Sequence, residues 1–184
     1  MIAFRRRSDG MSETLTMAFC PPNTATLSFD ALYRDTVADV HAYAWSLLRE
    51  QAAAEDVTAL AFERAYRRRA RFDADRGSAR AWLFAIARNA ALDELRRRKR
   101  TAALSFDPAA EPEPDADGPD HEPERRATVQ AALSALEPRE RELVALKFHA
   151  GLSYAEIGDL LGISESNAGT KVHRAITKLR KACA

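Results

Sequence analysis

The chain has 184 residues, 30% charged and 46% hydrophobic, which is the composition of one large or two small globular domains; no apolar run approaches the ~20 residues of a membrane helix. Its formal net charge of +1 conceals an asymmetry: residues 62–100 hold thirteen Lys or Arg against five Asp or Glu, residues 101–124 hold eight acids and no Lys or Arg, and residues 125–184 hold ten bases against six acids. The two cysteines, Cys20 and Cys183, and the four histidines lack metal-ligand spacing, which argues against zinc and a disulfide framework.

The first 27 residues carry no amphipathic stripe. We expect residues 1–27 to be a disordered leader, in which Met11 and Met17 are alternative starts to Met1. The early arginines are not followed by the apolar core of a signal peptide, and the cysteine usage suits a reducing compartment. These features predict a cytoplasmic location.

Helical periodicity dominates the next part of the chain, residues 28–100. Ser28 is a good N-cap for a first helix, and apolar residues recur at spacings of three and four after it. A second helix is expected over about 53–71, a loop over 72–77, and a third helix, capped by Ser78, up to the basic run 96–100. No segment alternates with a period of two, so an all-α domain is predicted.

Residues 101–126 contain five prolines among the acids. Such a segment buries too little apolar surface to offset its ordering entropy, so we expect a flexible linker. Limited proteolysis should cut it and leave two stable helical fragments. The expected architecture is therefore two small helical domains, residues 28–100 and 127–184, on a flexible linker.

The second domain carries the pattern of a helix-turn-helix. Ser153 and Glu156 form a capping box, Gly162 turns the chain, and Ser164 caps a final helix. Major-groove DNA binding is predicted for the outward positions of that helix, although a helical hairpin with a solvated polar face has the same pattern. The predicted contacts are Glu165, Ser166, Asn167, Thr170, Lys171, His173, Arg174 and Lys178.

The helix that Ser78 begins combines aromatic residues with a dense basic end. Aromatic rings beside cations suit unpaired bases, which expose their faces for stacking. The alternative is that the aromatic residues belong to the core. That alternative is favoured for Phe84, and both interpretations stay open for Trp82.

Two sets of motifs resemble a known family. The first resembles region 2 of extracytoplasmic-function (ECF) sigma factors and consists of AEDV (54–57), FERAY (62–66), RFD (71–73) and GSARAWLFAIARN (77–89). The second resembles region 4 and consists of LEPRERE (136–142), GLSYAEIG (151–158) and HRA (173–175). The resemblance covers about residues 29–100 and 127–182, in the order of the family.

The resemblance implies a DNA-binding subunit of RNA polymerase that acts in transcription initiation. Region 4 would read the −35 element as duplex, while region 2 would bind core polymerase and hold the melted −10 strand. The residues implied in polymerase binding are Asp56, Val57, Ala59, Leu60 and Glu63. Those implied in −10 binding are Phe72, Asp73, Arg80, Trp82, Arg88, Asn89, Arg96 and Arg97. The implied partners are core RNA polymerase and promoter DNA, with an anti-sigma factor as a further partner in many members.

Two features depart from the pattern or leave alternatives. Ala59 and Leu60 stand where the family often has Gln and Glu, which puts the details of the polymerase contact in question. Gly169 lies inside the recognition helix, where it either permits close approach to DNA or is simply tolerated. The competing functions are a helix-turn-helix regulator that does not bind core polymerase and a nucleic-acid enzyme. The chain shows no coherent catalytic set, so we expect no enzyme and no cofactor.

Overall fold

The computed structural model describes residues 28–104 and 123–183, and every regular element in these ranges is helical. The prediction of an all-α fold is confirmed for this part of the chain. The predicted leader and residues 105–122 of the predicted linker lie outside the described residues.

Three long helices form the first domain. They are α1 (Phe29–Leu48), α2 (Gln51–Arg68) and α3 (Ala79–Leu104). Two short 3₁₀ turns, Arg69–Arg71 and Ala74–Arg76, occupy the connection between α2 and α3. The predicted loop is therefore partly ordered as a turn, in which the Asp73 carboxylate accepts a hydrogen bond from the Asp75 amide at 3.0 Å.

The core of this domain lies where the apolar stripes of the three helices meet. Val40 and Tyr43 of α1, Ala61 of α2, and Leu83 and Phe84 of α3 are fully buried in one cluster. The rings of Tyr43 and Phe84 meet edge to face with centroids 5.6 Å apart. The preference for Phe84 as a core residue is thus confirmed.

Four shorter helices form the second domain. They are α4 (Pro123–Ser134), α5 (Pro138–Phe148), α6 (Tyr154–Leu161) and α7 (Glu165–Ala182). Pro138 stands at the first position of α5, where a helix needs no amide donor. The helix α3 continues to Leu104 and α4 begins at Pro123, so both extend into residues predicted as linker.

The predicted caps act locally as expected. The Ser78 hydroxyl accepts a hydrogen bond from the Ala81 amide at 3.1 Å, and the Ser164 hydroxyl accepts one from the Asn167 amide at 3.3 Å. Ser153 and Glu156 form the complete capping box at the start of α6. Ser28 occupies the N-cap of α1, but its hydroxyl makes no capping hydrogen bond.

The two domains pack against each other. Helix α1 lies against α5, and α3 lies against α6. Buried residues of both domains, among them Tyr43, Phe84, Leu146 and Leu152, belong to a single apolar cluster. The position of the second domain therefore decides which parts of the first domain remain open to a partner.

Candidate nucleic-acid and polymerase interface

Helix α7 presents a continuous polar face to solvent. Its apolar side, formed by Ala168, Val172 and Ala175, is buried against α5 and α6. All eight residues predicted to contact duplex DNA are exposed; these are Glu165, Ser166, Asn167, Thr170, Lys171, His173, Arg174 and Lys178. Lys178 also forms an ion pair with Glu140 of α5. The structure thus brings these residues together on one accessible face.

Close packing at a glycine fixes the angle between α6 and α7. A Cβ atom at Gly158 would lie 2.7 Å from the Ile163 carbonyl oxygen, closer than such atoms approach. Gly162 then ends α6 with a φ of 69°, in the left-handed region that favours glycine. These two glycines allow the tight turn that delivers the N-terminus of α7 to the surface.

Gly169 faces α6 rather than the outer surface of α7. A Cβ atom there would meet the Tyr154 ring at 3.7 Å, an ordinary contact. Of the two interpretations of this glycine, close approach to DNA is therefore not supported, because its missing side chain points to a neighbouring helix.

The residues predicted for −10 binding, here called the −10 face, lie along α3 and the turn before it. They are Phe72, Asp73, Arg80, Trp82, Arg88, Asn89, Arg96 and Arg97. Phe72 and Trp82 are half-buried and pack together, with ring centroids 5.5 Å apart and planes inclined by 56°. Trp82 fits both interpretations. Its ring packs against the core, and part of it remains accessible to a base.

Farther along α3 the −10 face is open to solvent. Asn89, Arg96 and Arg97 are exposed, and Arg97 donates to Glu94 at 2.7 and 2.8 Å. The hydrogen bond from Arg97, with a further one from Arg98, lowers the pKa of Glu94 to about 2 despite the opposing effect of burial. Asp93 and Glu94 thus hold the basic end of α3 in an ordered array of ion pairs.

Arg80, by contrast, already binds other residues of this chain. Its guanidinium forms an ion pair with Asp39 of α1 and donates to the carbonyl oxygens of Ala150 and, at 3.1 Å, His149. Burial lowers the pKa of His149, an effect that Asp39 partly opposes. The two carbonyls belong to the second domain, at the end of α5.

The Arg88 side chain is also bound by the second domain, and it is more buried than that of Arg80. Its Nε donates to Glu142 of α5 at 2.6 Å, and only 22% of the Arg88 and 11% of the Glu142 side chain is exposed. The Tyr43 hydroxyl lies buried nearby. Burial, reinforced by the negative charge of Glu142, raises the pKa of Tyr43 strongly above its ordinary value.

The residues implied in polymerase binding, here called the clamp face, lie on α2. Asp56, Ala59 and Glu63 are exposed and Leu60 is half-buried. Val57 is 4% exposed, because it packs into the cluster between α2 and α3. Four of these side chains are therefore accessible to a partner, whereas Val57 packs in the core and stabilises α2.

Asp39, Glu142 and Tyr43 are not among the predicted site residues. Each stands on an amphipathic helix at a position whose partner comes from another helix, and the LEPRERE motif that ends at Glu142 does not reveal that partner. The one available signal is the acidic charge of Glu142 directly before the apolar run LVAL (143–146). That charge indicates a buried partner of opposite sign without identifying it.

Residues 28–104 and 123–183 contain no group of three or more His, Cys, Asp or Glu residues that could hold a metal ion. None of their helices is long and apolar enough to cross a membrane.

Both domains match models of known protein families. Residues 32–101 match the family model of sigma-70 region 2, and residues 126–179 match that of sigma-70 region 4. The chain is 34% identical over 179 residues to the ECF RNA polymerase sigma factor SigE of Mycolicibacterium smegmatis, covering 94% of this chain and 68% of that protein. It is 32% identical to SigL of Mycobacterium tuberculosis, covering 82% of this chain and 85% of that one.

Solved structures show a similar fold. The sigma factor RpoE of Bartonella quintana, solved in complex with the anti-sigma factor NepR, has a TM-score of 0.67 and 24% identity, covering 84% of this chain and 95% of that chain. CnrH, solved with the cytosolic domain of CnrY, has a TM-score of 0.60 and 27% identity, covering 83% and 85%. With both regions present in family order, the chain belongs to the ECF subfamily of sigma-70 family sigma factors, which direct RNA polymerase to promoters.

Proposed function

We propose that this sigma factor reads the −35 element as duplex with α7 and holds the melted −10 strand on the −10 face. The observation that carries the proposal is the exposure of all eight polar residues on α7, on a helix placed by a capped, glycine-based turn. Short polar side chains at the start of a recognition helix reach base edges, and cations farther along meet phosphates.

The first domain supports the second half of the proposal. Its −10 face combines a half-buried aromatic pair with the exposed Asn89, Arg96 and Arg97. Stacking and cationic contacts together favour an unpaired strand, whose bases are free to turn outward. Capture of such bases offsets the cost of unstacking them, which is a few kcal/mol per base.

Core RNA polymerase is the protein partner that we propose for α2. The clamp face offers two carboxylates, of Asp56 and Glu63, beside the half-buried Leu60, which is a mixed acidic and apolar surface. A regulator built on the helix-turn-helix alone would not use this surface. The proposal makes the protein a binding subunit in the cytoplasm rather than a catalyst, because polymerase makes the bonds.

An anti-sigma factor is the second protein partner that we propose. The structurally similar sigma factor RpoE was solved with the anti-sigma factor NepR, and CnrH was solved with the cytosolic domain of CnrY. A tagged copy of this chain should co-purify such a protein from its own cells. Recovery of core polymerase alone would argue for a sigma factor without an antagonist.

The decisive experiment is run-off transcription with purified core RNA polymerase on a library of genomic fragments. Wild-type chain should produce specific transcripts whose upstream sequences share two short elements. Asp56→Lys should abolish both polymerase binding and transcription, whereas Glu55→Lys, the same charge change at the adjacent exposed residue, should leave them largely intact. DNA binding without any polymerase binding would make the regulator the better description.

A further inference from the structure

The second domain occupies part of the −10 face. Three of its contacts reach the N-terminal half of α3 or its cap: Glu142 with Arg88 at 2.6 Å, the His149 and Ala150 carbonyls with Arg80, and Glu156 with the Ser78 hydroxyl at 2.5 Å. We call these three contacts the latch. They accompany the apolar contact between α1 and α5.

The latch presents hydrogen-bond acceptor oxygens to α3, as nucleic acid would. An arginine binds phosphate and base edges through N–H donors, and it binds carboxylates and carbonyls through the same donors. In this structure the Ala150 and His149 carbonyls accept from Nε and Nη2 of Arg80, and the Glu142 carboxylate accepts from Nε of Arg88. A −10 strand would therefore compete with the latch for these donors.

Electrostatics strengthens this competition. Glu142 adds a negative charge at the point where a phosphate would have to approach Arg88, and only 11% of its side chain is exposed. A DNA strand that bound this part of Arg88 would have to displace the carboxylate, which stands on α5, the helix packed against α1. Separation of such a buried pair leaves both charges without a partner, which costs free energy unless a new partner replaces it.

The latch does not reach the recognition helix. The eight predicted contact residues of α7 are exposed while the domains are packed together. A closed chain therefore has an accessible recognition helix, whereas two residues of its −10 face, Arg80 and Arg88, are engaged by the latch. The two DNA-binding activities should differ in their dependence on domain opening.

We propose that α5 and the α6 cap form an autoinhibitory surface, which occupies Arg80 and Arg88 as a −10 strand would and leaves α7 free. This inference rests on the proposed function. The apparent affinity of the free chain for a −10 strand is then reduced by the fraction of chains that are open. Binding of core polymerase would release the latch if it separated the two domains.

The first test uses Glu142→Gln in the full chain. It should raise affinity for the non-template −10 single strand, taken from promoters found by run-off, about tenfold if closed chains outnumber open ones by about ten to one. Affinity for the −35 duplex should stay unchanged. Asp159→Asn, an equal loss of charge at an exposed residue of α6, controls for general attraction to DNA.

Two outcomes of this test would overturn the proposal. One is equal −10 affinity in Glu142→Gln, Asp159→Asn and wild type. The other is a parallel gain on the −35 duplex and the −10 strand, which would show that charge alone acts. Run-off transcription by the wild type must be positive in either case, so a failed latch is distinguishable from a failed sigma function.

A second test needs neither promoter nor polymerase. Arg88→Glu places two carboxylates together and should expand the chain, as measured by small-angle X-ray scattering. The double variant Arg88→Glu/Glu142→Arg restores opposite charges and should restore the compact form. Thermal unfolding by circular dichroism checks that each variant is folded. Equal dimensions for wild type, single and double variants would refute the role of the Arg88–Glu142 pair in holding the two domains together.

Discussion

At the residue scale, Lys171 and Arg174 are the cations on which α7 should most depend. Both are exposed, outside the buried side that Val172 and Ala175 form. Replacement of either by Ala should cost about 1–3 kcal/mol of −35 duplex binding where the contact is to a base edge, measured by fluorescence anisotropy with the full chain. Arg34 is an exposed arginine of α1, outside the recognition helix, and Arg34→Ala is the control. Unchanged affinity in both test variants would remove them from the DNA contact.

Tyr43 gives a second residue-scale prediction, which concerns pH. Its pKa in the folded protein is raised above the ordinary value of 10, so the folded state holds this proton more tightly than the unfolded state. The stabilisation is complete below pH 10 and is lost as the pH rises above it, because the unfolded chain ionises first.

The measurement is alkaline titration of wild type and Tyr43→Phe. The free energy of unfolding of the wild type should fall more steeply above pH 10 than that of the variant. The phenolate absorbance of the two folded proteins should coincide, since Tyr43 stays neutral until the protein unfolds. A phenolate signal from Tyr43 before unfolding would show that the α1–α5 contact opens at its hydroxyl.

At the scale of elements, the helix-turn-helix depends on two glycines in opposite ways. Gly158→Ala should destabilise the domain by about 1–3 kcal/mol, because its Cβ would meet the Ile163 carbonyl oxygen at 2.7 Å. Gly169→Ala should instead stabilise it by about 1 kcal/mol, since alanine favours the helix and its methyl group would touch only the Tyr154 ring.

Urea unfolding of both variants measures the difference. Gly169→Ala should also retain −35 binding, because position 169 faces α6 and not the outer surface. A loss of DNA binding in that variant, with normal stability, would revive the interpretation that the glycine permits close approach to DNA.

At the scale of the whole molecule, the preference for an unpaired strand separates a sigma factor from a regulator. In holoenzyme, the −10 non-template strand should bind better than the same sequence as duplex, because stacking contributes about 1–3 kcal/mol per base. Arg80→Ala and Asn89→Ala should both weaken this binding at matched salt. Arg34→Ala, at an exposed arginine of α1, is the control for charge. A preference for duplex, insensitive to both substitutions, would contradict the melting role.

The sequence predicted the local part of this architecture well. Periodicity located all three helices of the first domain, and the caps at Ser78, Ser153 and Ser164 form as expected, since a cap involves residues three positions apart. The surface of α7 followed from the same reasoning. The pairing of Arg88 with Glu142 could not be predicted, because the two residues are 54 positions apart and periodicity gives the inward side of a helix without its partner.

Glu156 has a consequence for the engineering of chimaeras. Its carboxylate accepts hydrogen bonds from Ser153, which begins α6, and from Ser78 of the first domain; these bonds outweigh the effect of burial and lower its pKa. A reader domain grafted from a relative with its own Ser and Glu would keep the helix cap. It would keep the closed form only with an acid at position 142 as well. Promoter specificity and autoinhibition could therefore be exchanged separately. A graft without that acid would give a chimaera with the new −35 preference and with Arg88 free of its partner.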